Sequence, residues 1–240
     1  MLLISVSKSS RNPVGNNLLA SLPKEEYKRL LPQLETVSLS LKQHLYRLNE
    51  PIEYVYFPNS GVVSVVSFLK DGRIVEVATV GNEGMIGTPI LLGVDRILAE
   101  TFVQIPGDGL RMKVDVFRRE VPLGSPLHSL LLRYTQTLMN HLMQSVVCNQ
   151  MHSVEERCCR WLLLTQDRVE SDEFPLTQEF LAQMLGVRRA TVSVVAATLQ
   201  RVGLIRYHRG KIKVLDRQGL EAGSCECYQV VKQEYIRLLS

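Results

Sequence analysis

The spacing of hydrophobic positions changes along the chain, and the changes predict where helices and strands lie. From Leu18 to Glu35, apolar residues recur at three- and four-residue intervals, which predicts a helix ending near Pro32. Between residues 36 and 114 they fall into short, partly alternating runs separated by glycines. Two runs, "GVVSVVSFL" and "RIVEVATV", flank the turn sequence "KDG", a pattern typical of a β-hairpin. We therefore predict an antiparallel β-roll across residues 36–114.

Helical spacing returns after residue 114. "VDVFRREVP" predicts a short helix, and Ser125–Met151 predicts a long one, which would extend roughly 40 Å. Apolar residues form a stripe along the long helix at Leu127, Leu131, Tyr134, Leu138, Leu142 and Val146. Three more apolar residues widen this stripe, Leu130, Leu132 and Met139. We expect contacts with both the roll and a second copy of the chain, giving a homodimer through Leu127, Leu131, Tyr134, Leu138 and Leu142. Packing within one chain only is the alternative.

The last part of the chain carries the pattern of a winged helix-turn-helix. A helix capped by Ser153 and a polar break, "ESDEFP", come before it. Thr177 is a good N-cap for a helix that Gly186 would end. A second helix starts near Arg188 and has Val192, Val195 and Leu199 on its buried face. "LIRYHRGKIKVLD" then alternates about a turn at residues 208–210, as expected of a wing.

The second of these helices has side chains suited to DNA recognition. In helix-turn-helix proteins its N-terminal residues face base edges in the major groove. An arginine there can bridge guanine O6 and N7, a contact worth about 1–3 kcal/mol of base discrimination. The predicted base-reading residues are Arg188, Arg189, Thr191 and Ser193. The predicted phosphate contacts are Thr177 on the first helix and Arg209 and Lys211 on the wing. A protein-binding winged helix is the alternative.

The distribution of charge favours double-stranded DNA as the partner. The net charge is only +4, but residues 176–217 hold eight basic and two acidic residues. Residues 1–175 are close to neutral, with 18 basic and 19 acidic residues. A basic segment on a neutral body is the pattern expected of a polyanion-binding module.

The order of these segments resembles the Crp/Fnr family of bacterial transcription regulators over nearly the whole chain. The resemblance implies an α+β fold with an antiparallel roll like that of cyclic-nucleotide-binding domains, a dimerisation helix and a winged helix-turn-helix. The corresponding ranges are a flexible tail at 1–17, the roll domain at 18–124, the dimerisation helix at 125–151 and the DNA-binding domain at 152–240. It implies a homodimer on a pseudo-palindromic operator, with RNA polymerase as a further candidate partner.

The recognition helix departs from the pattern of the family. A serine–arginine–glutamate–threonine–valine run opens that helix in the family, and a second arginine follows two residues later. Here the run is Arg188-Arg189-Ala190-Thr191-Val192, and Val194 takes the place of the second arginine. Arg189 and Thr191 match the pattern, so we expect DNA binding to a different target sequence.

The roll departs further from relatives that bind cyclic nucleotides. Thr88 follows Gly87 where the ribose-binding glutamate is expected, and Ala99-Glu100 replaces the phosphate-binding arginine–serine pair. Glu100 would repel a cyclic phosphate, and Arg96 is the nearest substitute for the arginine. We expect this degenerate pocket not to bind cyclic AMP or cyclic GMP. The alternative is a roll that senses another small molecule or haem, for which His44 and His128 are the candidate ligands.

The histidine and cysteine residues of the sequence predict no enzyme activity, cofactor or metal. A cupin-like metalloenzyme would need clustered histidines, but residues 36–114 contain only His44. None of the five cysteines precedes Cys148, so the N-terminal iron–sulfur cluster of some relatives is not expected. Free thiols are the favoured interpretation, with metal binding or redox sensing at Cys225/Cys227 and at Cys158/Cys159 as the alternative. The N-terminus lacks a basic region and a long apolar run, which predicts a cytoplasmic protein.

Overall fold

The N-terminal segment packs onto the rest of the chain before the first helix begins. The structure is a computed structural model that describes residues 14–169 and 171–239, so residues 1–13 of the expected tail lie outside it. Asn16 is fully buried, and its side-chain amide donates hydrogen bonds to the carbonyls of Pro58 and Gly84 at 2.8 and 2.9 Å. The packed part of the chain therefore begins before Leu18.

The helix predicted from Leu18 to Glu35 is two helices. Helix α1 spans Asn17–Ala20 and helix α2 spans Lys24–Leu30, followed by a 3-10 turn at Leu31–Gln33. The break falls at Pro23, which has an extended backbone (φ −52°, ψ 138°). Proline has no N–H for an intrahelical bond and disfavours helical geometry in the residue before it, which explains the break.

The predicted antiparallel roll is confirmed. Its strands are β1 Glu35–Leu39, β2 His44–Tyr46, β3 Tyr54–Pro58, β4 Val62–Phe68, β5 Ile74–Val80, β6 Glu100–Ile105 and β7 Gly107–Lys113, with the short helix α3 at Thr88–Leu91. One sheet has the order β1-β7-β3 and the other β2-β6-β4-β5, with every pair antiparallel. The predicted hairpin pairs Phe68 with Ile74, and Gly72 in its turn has a φ of 83°.

Two helices close the roll on the C-terminal side. Helix α4 spans Val114–Glu120 and helix α5 spans Pro126–Met151, as predicted. Ser125 caps α5 by accepting a hydrogen bond from the backbone N–H of His128 at 3.2 Å. Leu127, Leu131 and Tyr134 of α5 are fully buried in the core of the roll. The long helix is therefore part of the roll's core for its first turns.

The winged helix-turn-helix part begins directly after α5. Helix α6 spans Val154–Val169, and the elements that follow are β8 Glu173–Pro175, α7 Gln178–Leu185, α8 Arg189–Arg201, β9 Ile205–His208 and β10 Lys211–Val214. The wing has three strands in the order β8-β10-β9, so the prediction of a polar break at "ESDEFP" is wrong for its last three residues. These three residues form a strand because Phe174 is buried in the core of this domain while its two neighbours are exposed.

The C-terminal end folds back onto the long helix. Helix α9 spans Arg217–Ala222 and helix α10 spans Cys227–Leu239. Asn140 of α5 donates a hydrogen bond to Glu234 of α10 at 2.8 Å, and the rings of His141 and Tyr235 meet edge to face. By length and hydropathy no single described helix could cross a membrane, and only the bent pair α7–α8 passes such a test when combined.

Candidate nucleic-acid interface

Helix α7 is fixed at both ends by the residues that the sequence indicated. The hydroxyl oxygen of Thr177 accepts a hydrogen bond from the N–H of Phe180 at 3.1 Å. Gly186 has a left-handed backbone (φ 64°), and its N–H donates hydrogen bonds to the carbonyls of Ala182 and Gln183 near the end of the helix. Leu181 and Leu185 are buried against the core. The chain then turns by 108° into α8, within the range for a helix-turn-helix.

Helix α8 presents one buried face and one exposed face. The predicted buried residues Val192, Val195 and Leu199 all lie in the core, which confirms that face. Arg188 is the N-cap residue and has an extended backbone, so the helix starts at Arg189. The exposed residues of the helix and its cap are Arg188, Arg189, Ala190, Val194, Ala197, Gln200 and Arg201. The small side chains of this face leave room for the backbone to approach a groove closely.

The two arginines at the start of α8 are exposed and unpaired. Within the described residues, neither Arg188 nor Arg189 has a hydrogen bond or an ion pair from its guanidinium group. Two adjacent cations without counterions at a helix end lower the cost of accepting an external anion, because no internal contact must be broken. Their placement matches the predicted base-reading end of the helix.

The other two predicted base-reading residues are less accessible to DNA. Thr191 and Ser193 are half-buried. The Ser193 hydroxyl donates to Gln178 Oε1 at 2.7 Å and lies 3.1 Å from the carbonyl of Arg189. Ser193 thus joins α8 to the start of α7. Gln178, which sequence patterns did not single out, lies beside the recognition helix through this contact.

The wing turn lies next to the N-terminus of α7. The N–H of Leu176 donates to the carbonyl of Gly210 at 2.8 Å, and the N–H of Gln178 donates to the hydroxyl of Tyr207 at 3.1 Å. Arg209 and Gly210 both have positive φ, 46° and 76°, which makes a tight hairpin turn. These contacts place Arg209 and Thr177, both exposed, on one edge of the domain.

The basic residues of the wing differ in whether they form an ion pair within the chain. Lys211 forms an ion pair with Glu173 at 3.4 Å, with both side chains mostly exposed. Such a pair is weak and would exchange readily for a phosphate. Arg206 and Lys213 are opposite each other on β9 and β10 and both are exposed. Local charge, but no motif, pointed to these last two residues.

The predicted dimerisation residues are mostly internal, which corrects that prediction. Leu127, Leu131 and Tyr134 are fully buried in the chain's own core and cannot contact a second copy. Leu138 and Leu142 are half-buried. The apolar residues that α5 does expose form a different stripe: Leu132, Met139, Met143, Val146, Val147 and Met151.

The residues of the degenerate effector pocket are engaged in separate contacts. Arg96 donates to the carbonyl of Asn49 at 2.7 Å, on the loop between β2 and β3. Glu100 Oε2 lies 3.1 Å from His44 Nδ1, across the pair of strands β2 and β6. Thr88 is the first residue of α3, and Ala99 immediately precedes β6; both are half-buried. The cation and the anion therefore have partners of their own.

The two candidate haem ligands are placed apart from each other in the fold. His44 is paired with Glu100, and its ring is tilted by 45° against that of Phe102, with ring centroids 5.9 Å apart. His128 lies in the first turn of α5, and its Nδ1 is 3.4 Å from the N–H of Gly124. Neither of these contacts indicates that His44 and His128 bind one haem together.

Comparison with known proteins agrees with this architecture. Residues 156–222 match the Crp-like helix-turn-helix domain. FixK2 from Bradyrhizobium japonicum is 20% identical with a TM-score of 0.68, over 80% of this chain and 98% of FixK2. CLP from Xanthomonas campestris, a c-di-GMP-responsive global regulator, is 14% identical with a TM-score of 0.65, over 81% of this chain and 100% of CLP. Among curated proteins, none matches significantly in sequence.

The fold and the site together define a protein with a winged helix-turn-helix domain that follows an antiparallel roll. The domain match and the shared fold agree with the predicted resemblance: residues 156–222 are a Crp-like helix-turn-helix domain, and the chain shares the fold of FixK2 and CLP.

Proposed function

We propose that the protein is a homodimeric regulator that reads a pseudo-palindromic operator with helix α8. The observation that carries this proposal is the pair of unpaired, exposed arginines, Arg188 and Arg189, at the leading end of that helix. Guanidinium groups at this position reach guanine O6 and N7 in the major groove. Thr177 and Arg209 supply phosphate contacts from the neighbouring edge.

The exposed face of α8 favours an operator different from that of relatives with glutamate and a second arginine. Ala190 and Val194 occupy those two positions, and Val194 is 68% exposed. A valine methyl can pack against the methyl group of thymine, whereas it cannot accept from cytosine N4 or donate to guanine. We therefore expect a half-site with guanine opposite Arg189 and a thymine near Val194.

The exposed stripe of α5 supports the dimer. Leu132, Met139, Met143 and Val146 recur at intervals of three, four or seven residues on one side of the helix. A single chain leaves all four exposed, and a second copy related by two-fold symmetry would bury them. The two recognition helices would then reach successive major grooves about 34–36 Å apart.

A ligand-gated form of the same regulator is the second candidate. It is favoured by the contacts between roll and DNA-binding domain: Phe102 of β6 meets Phe180 of α7 edge to face, with ring centroids 6.2 Å apart. A small molecule that moves β6 would move the helix before the recognition helix. CLP, which shares the fold, responds to c-di-GMP.

Selection of bound duplexes from a random DNA pool tests the proposal. We expect an enriched site with two-fold symmetry and half-sites one helical turn apart. Running the selection with and without c-di-GMP or a low-molecular-weight cell extract separates the two candidates, since only the gated form changes its enrichment. A pool without any enriched sequence would contradict both.

A further inference from the structure

Four metal-binding side chains meet where the long helix ends. Cys148 and His152 lie one helical turn apart at the end of α5, and Cys225 and Cys227 lie at the start of α10. One ligand atom from each of the four residues lies within 4.8 Å of every other. Cys148 and Cys225 are separated by 77 residues in sequence, so the fold of α10 back onto α5 is what creates the cluster.

Two of the distances between the ligand atoms match those of a tetrahedral metal centre. Cys148 Sγ lies 3.5 Å from Cys225 Sγ, and Cys227 Sγ lies 3.5 Å from His152 Nδ1. Bonds of about 2.3 Å to sulfur and about 2.0–2.1 Å to nitrogen place tetrahedral ligands about 3.5–3.8 Å apart. A disulfide would need sulfurs about 2.05 Å apart. Two ligand pairs therefore already have tetrahedral spacing, and all four ligand atoms lie within 4.8 Å of one another.

Neighbouring side chains orient the ligands as they do in metalloproteins. Glu226 Oε2 lies 3.2 Å from His152 Nε2, on the side of the ring away from the sulfurs. A proton on Nε2 shared with this carboxylate leaves the lone pair of Nδ1 facing the centre. Gln144 Nε2 donates to Cys227 Sγ at 3.1 Å, a contact that stabilises a thiolate.

The charge around the cluster is also that of a metal–thiolate site. Arg157 and Arg160 of α6 lie within electrostatic range of Cys148. Arg157 Nε and Arg160 Nε and Nη1 are buried without hydrogen-bond partners among the described residues, and neither side chain has an ion pair there. A dication held by three thiolates and one neutral imidazole carries one net negative charge, which would offset part of the positive charge of these two arginines.

We propose that Cys148, His152, Cys225 and Cys227 bind one zinc ion as a structural Cys3His site. Thiolate and imidazole ligands in a closed tetrahedron select zinc over harder cations, which prefer oxygen. Binding displaces three thiol protons and leaves the histidine neutral.

The position of the site gives it a mechanical consequence. Helix α5 ends at Met151 and α6 begins at Val154, so His152 lies in the joint between the long helix and the DNA-binding domain. In sequence, two ligands of the site precede the Crp-like domain at residues 156–222 and the other two follow it. Zinc would tie this joint to α10 and fix the orientation of the domain. The effect on DNA affinity rests on the proposed function, whereas the metal content does not.

Metal analysis of the full-length, reduced chain tests the site directly. We expect one zinc per chain by mass spectrometry, and thiolate-to-metal charge-transfer absorption when cobalt(II) replaces zinc. Cys227→Ser and His152→Ala should lose the zinc, and Glu226→Gln should weaken binding roughly 10–100-fold, the usual effect of removing an orienting carboxylate. Cys159→Ala, which removes a buried cysteine outside the cluster, should keep it.

The outcomes separate the site from the alternatives. A wild-type chain with no zinc and no charge-transfer band with cobalt(II), or a Cys148–Cys225 disulfide after purification under mild reduction, would overturn the proposal. So would full zinc content in Cys227→Ser. Since the cobalt(II) spectrum is measured on the wild-type chain, a variant that fails to fold leaves the test intact. DNA binding is assayed separately, so loss of zinc and failure of the proposed function are distinguishable.

Discussion

The indole N–H of Trp161, on α6, donates a hydrogen bond to the carboxyl group of Glu76, on β5, at 2.8 Å. The same carboxyl group lies 3.0 Å from the Ser64 hydroxyl, which donates to Gln104 at 2.6 Å. This chain of contacts joins the roll to the first helix of the DNA-binding domain. A protonated Glu76 completes it, because its O–H can donate to Ser64 while Trp161 donates to the other oxygen.

The stability of this junction should depend on pH. Burial raises the pKa of Glu76 to about 7, although Arg160 and Arg168 face it and favour its charged form. Below about pH 4.5 the Glu76 carboxyl is neutral in both the folded and the unfolded chain, so its full contribution to the unfolding free energy is present. As pH rises through about 7 the folded chain must ionise a buried carboxyl, and up to about 3 kcal/mol of the unfolding free energy is lost.

Glu76→Gln isolates that effect. The variant keeps the acceptor for Trp161 and carries no proton to lose, so it should gain stability over the wild type between pH 5 and pH 8. Urea unfolding of both proteins at each pH measures the difference. His141, whose pKa burial lowers to about 3, titrates in the opposite sense but is common to both proteins and cancels. A constant difference between the two proteins across this range would contradict the prediction.

Replacement of Gly186 tests the turn that positions α8. Its φ is 64°, and a Cβ there would meet no atom within 4 Å, so Gly186→Ala carries only the backbone cost. We expect the unfolding free energy to fall by about 1 kcal/mol. Gly223→Ala is the control, since Gly223 has a φ of −83° and the nearest atom would lie 3.4 Å away. Equal effects in chemical denaturation would count against the left-handed turn.

The exposed stripe of α5 can be separated from its buried stripe by single charges. Met143→Glu should give a folded monomer, because Met143 is 56% exposed and only a second copy would cover it. Leu131→Glu should prevent folding, since Leu131 has no exposed surface. Val94→Glu, at an exposed apolar site of the roll, should remain dimeric. Sedimentation and circular dichroism distinguish these results, and a dimeric Met143→Glu would argue against the proposed interface.

Arg209 should contribute to affinity without contributing to sequence preference. Because we propose that Arg209 contacts a phosphate and not a base, Arg209→Ala should weaken binding to operator and to unrelated DNA alike. The slope of log K against log salt should fall by about one per subunit. Arg73→Ala, which removes an exposed arginine from the β4–β5 turn, should leave the slope unchanged. A loss confined to the operator would assign Arg209 to base contacts instead.

How far the sequence predicts this structure depends on how local the determining contacts are. The β4–β5 hairpin and the buried face of α8 follow from alternation, turn residues and helical spacing, so both could be predicted. The burial of Leu127 and Tyr134 could not, because α5 is apolar on more than one side and the roll decides which side it covers. The cluster of Cys148 with Cys225 was equally hidden, since it requires α10 to return across 77 residues.

The most direct test of the account is the affinity of an Arg188→Ala, Arg189→Ala double variant for the selected operator. Both side chains are exposed and unpaired in the described chain, so their removal should leave the fold intact. Each lost guanine contact is worth about 1–3 kcal/mol, so fluorescence anisotropy should show operator affinity reduced at least tenfold per subunit. Binding to unrelated DNA should fall far less, and Arg73→Ala should bind as the wild type does. A double variant that binds the operator as tightly as the wild type would contradict the account.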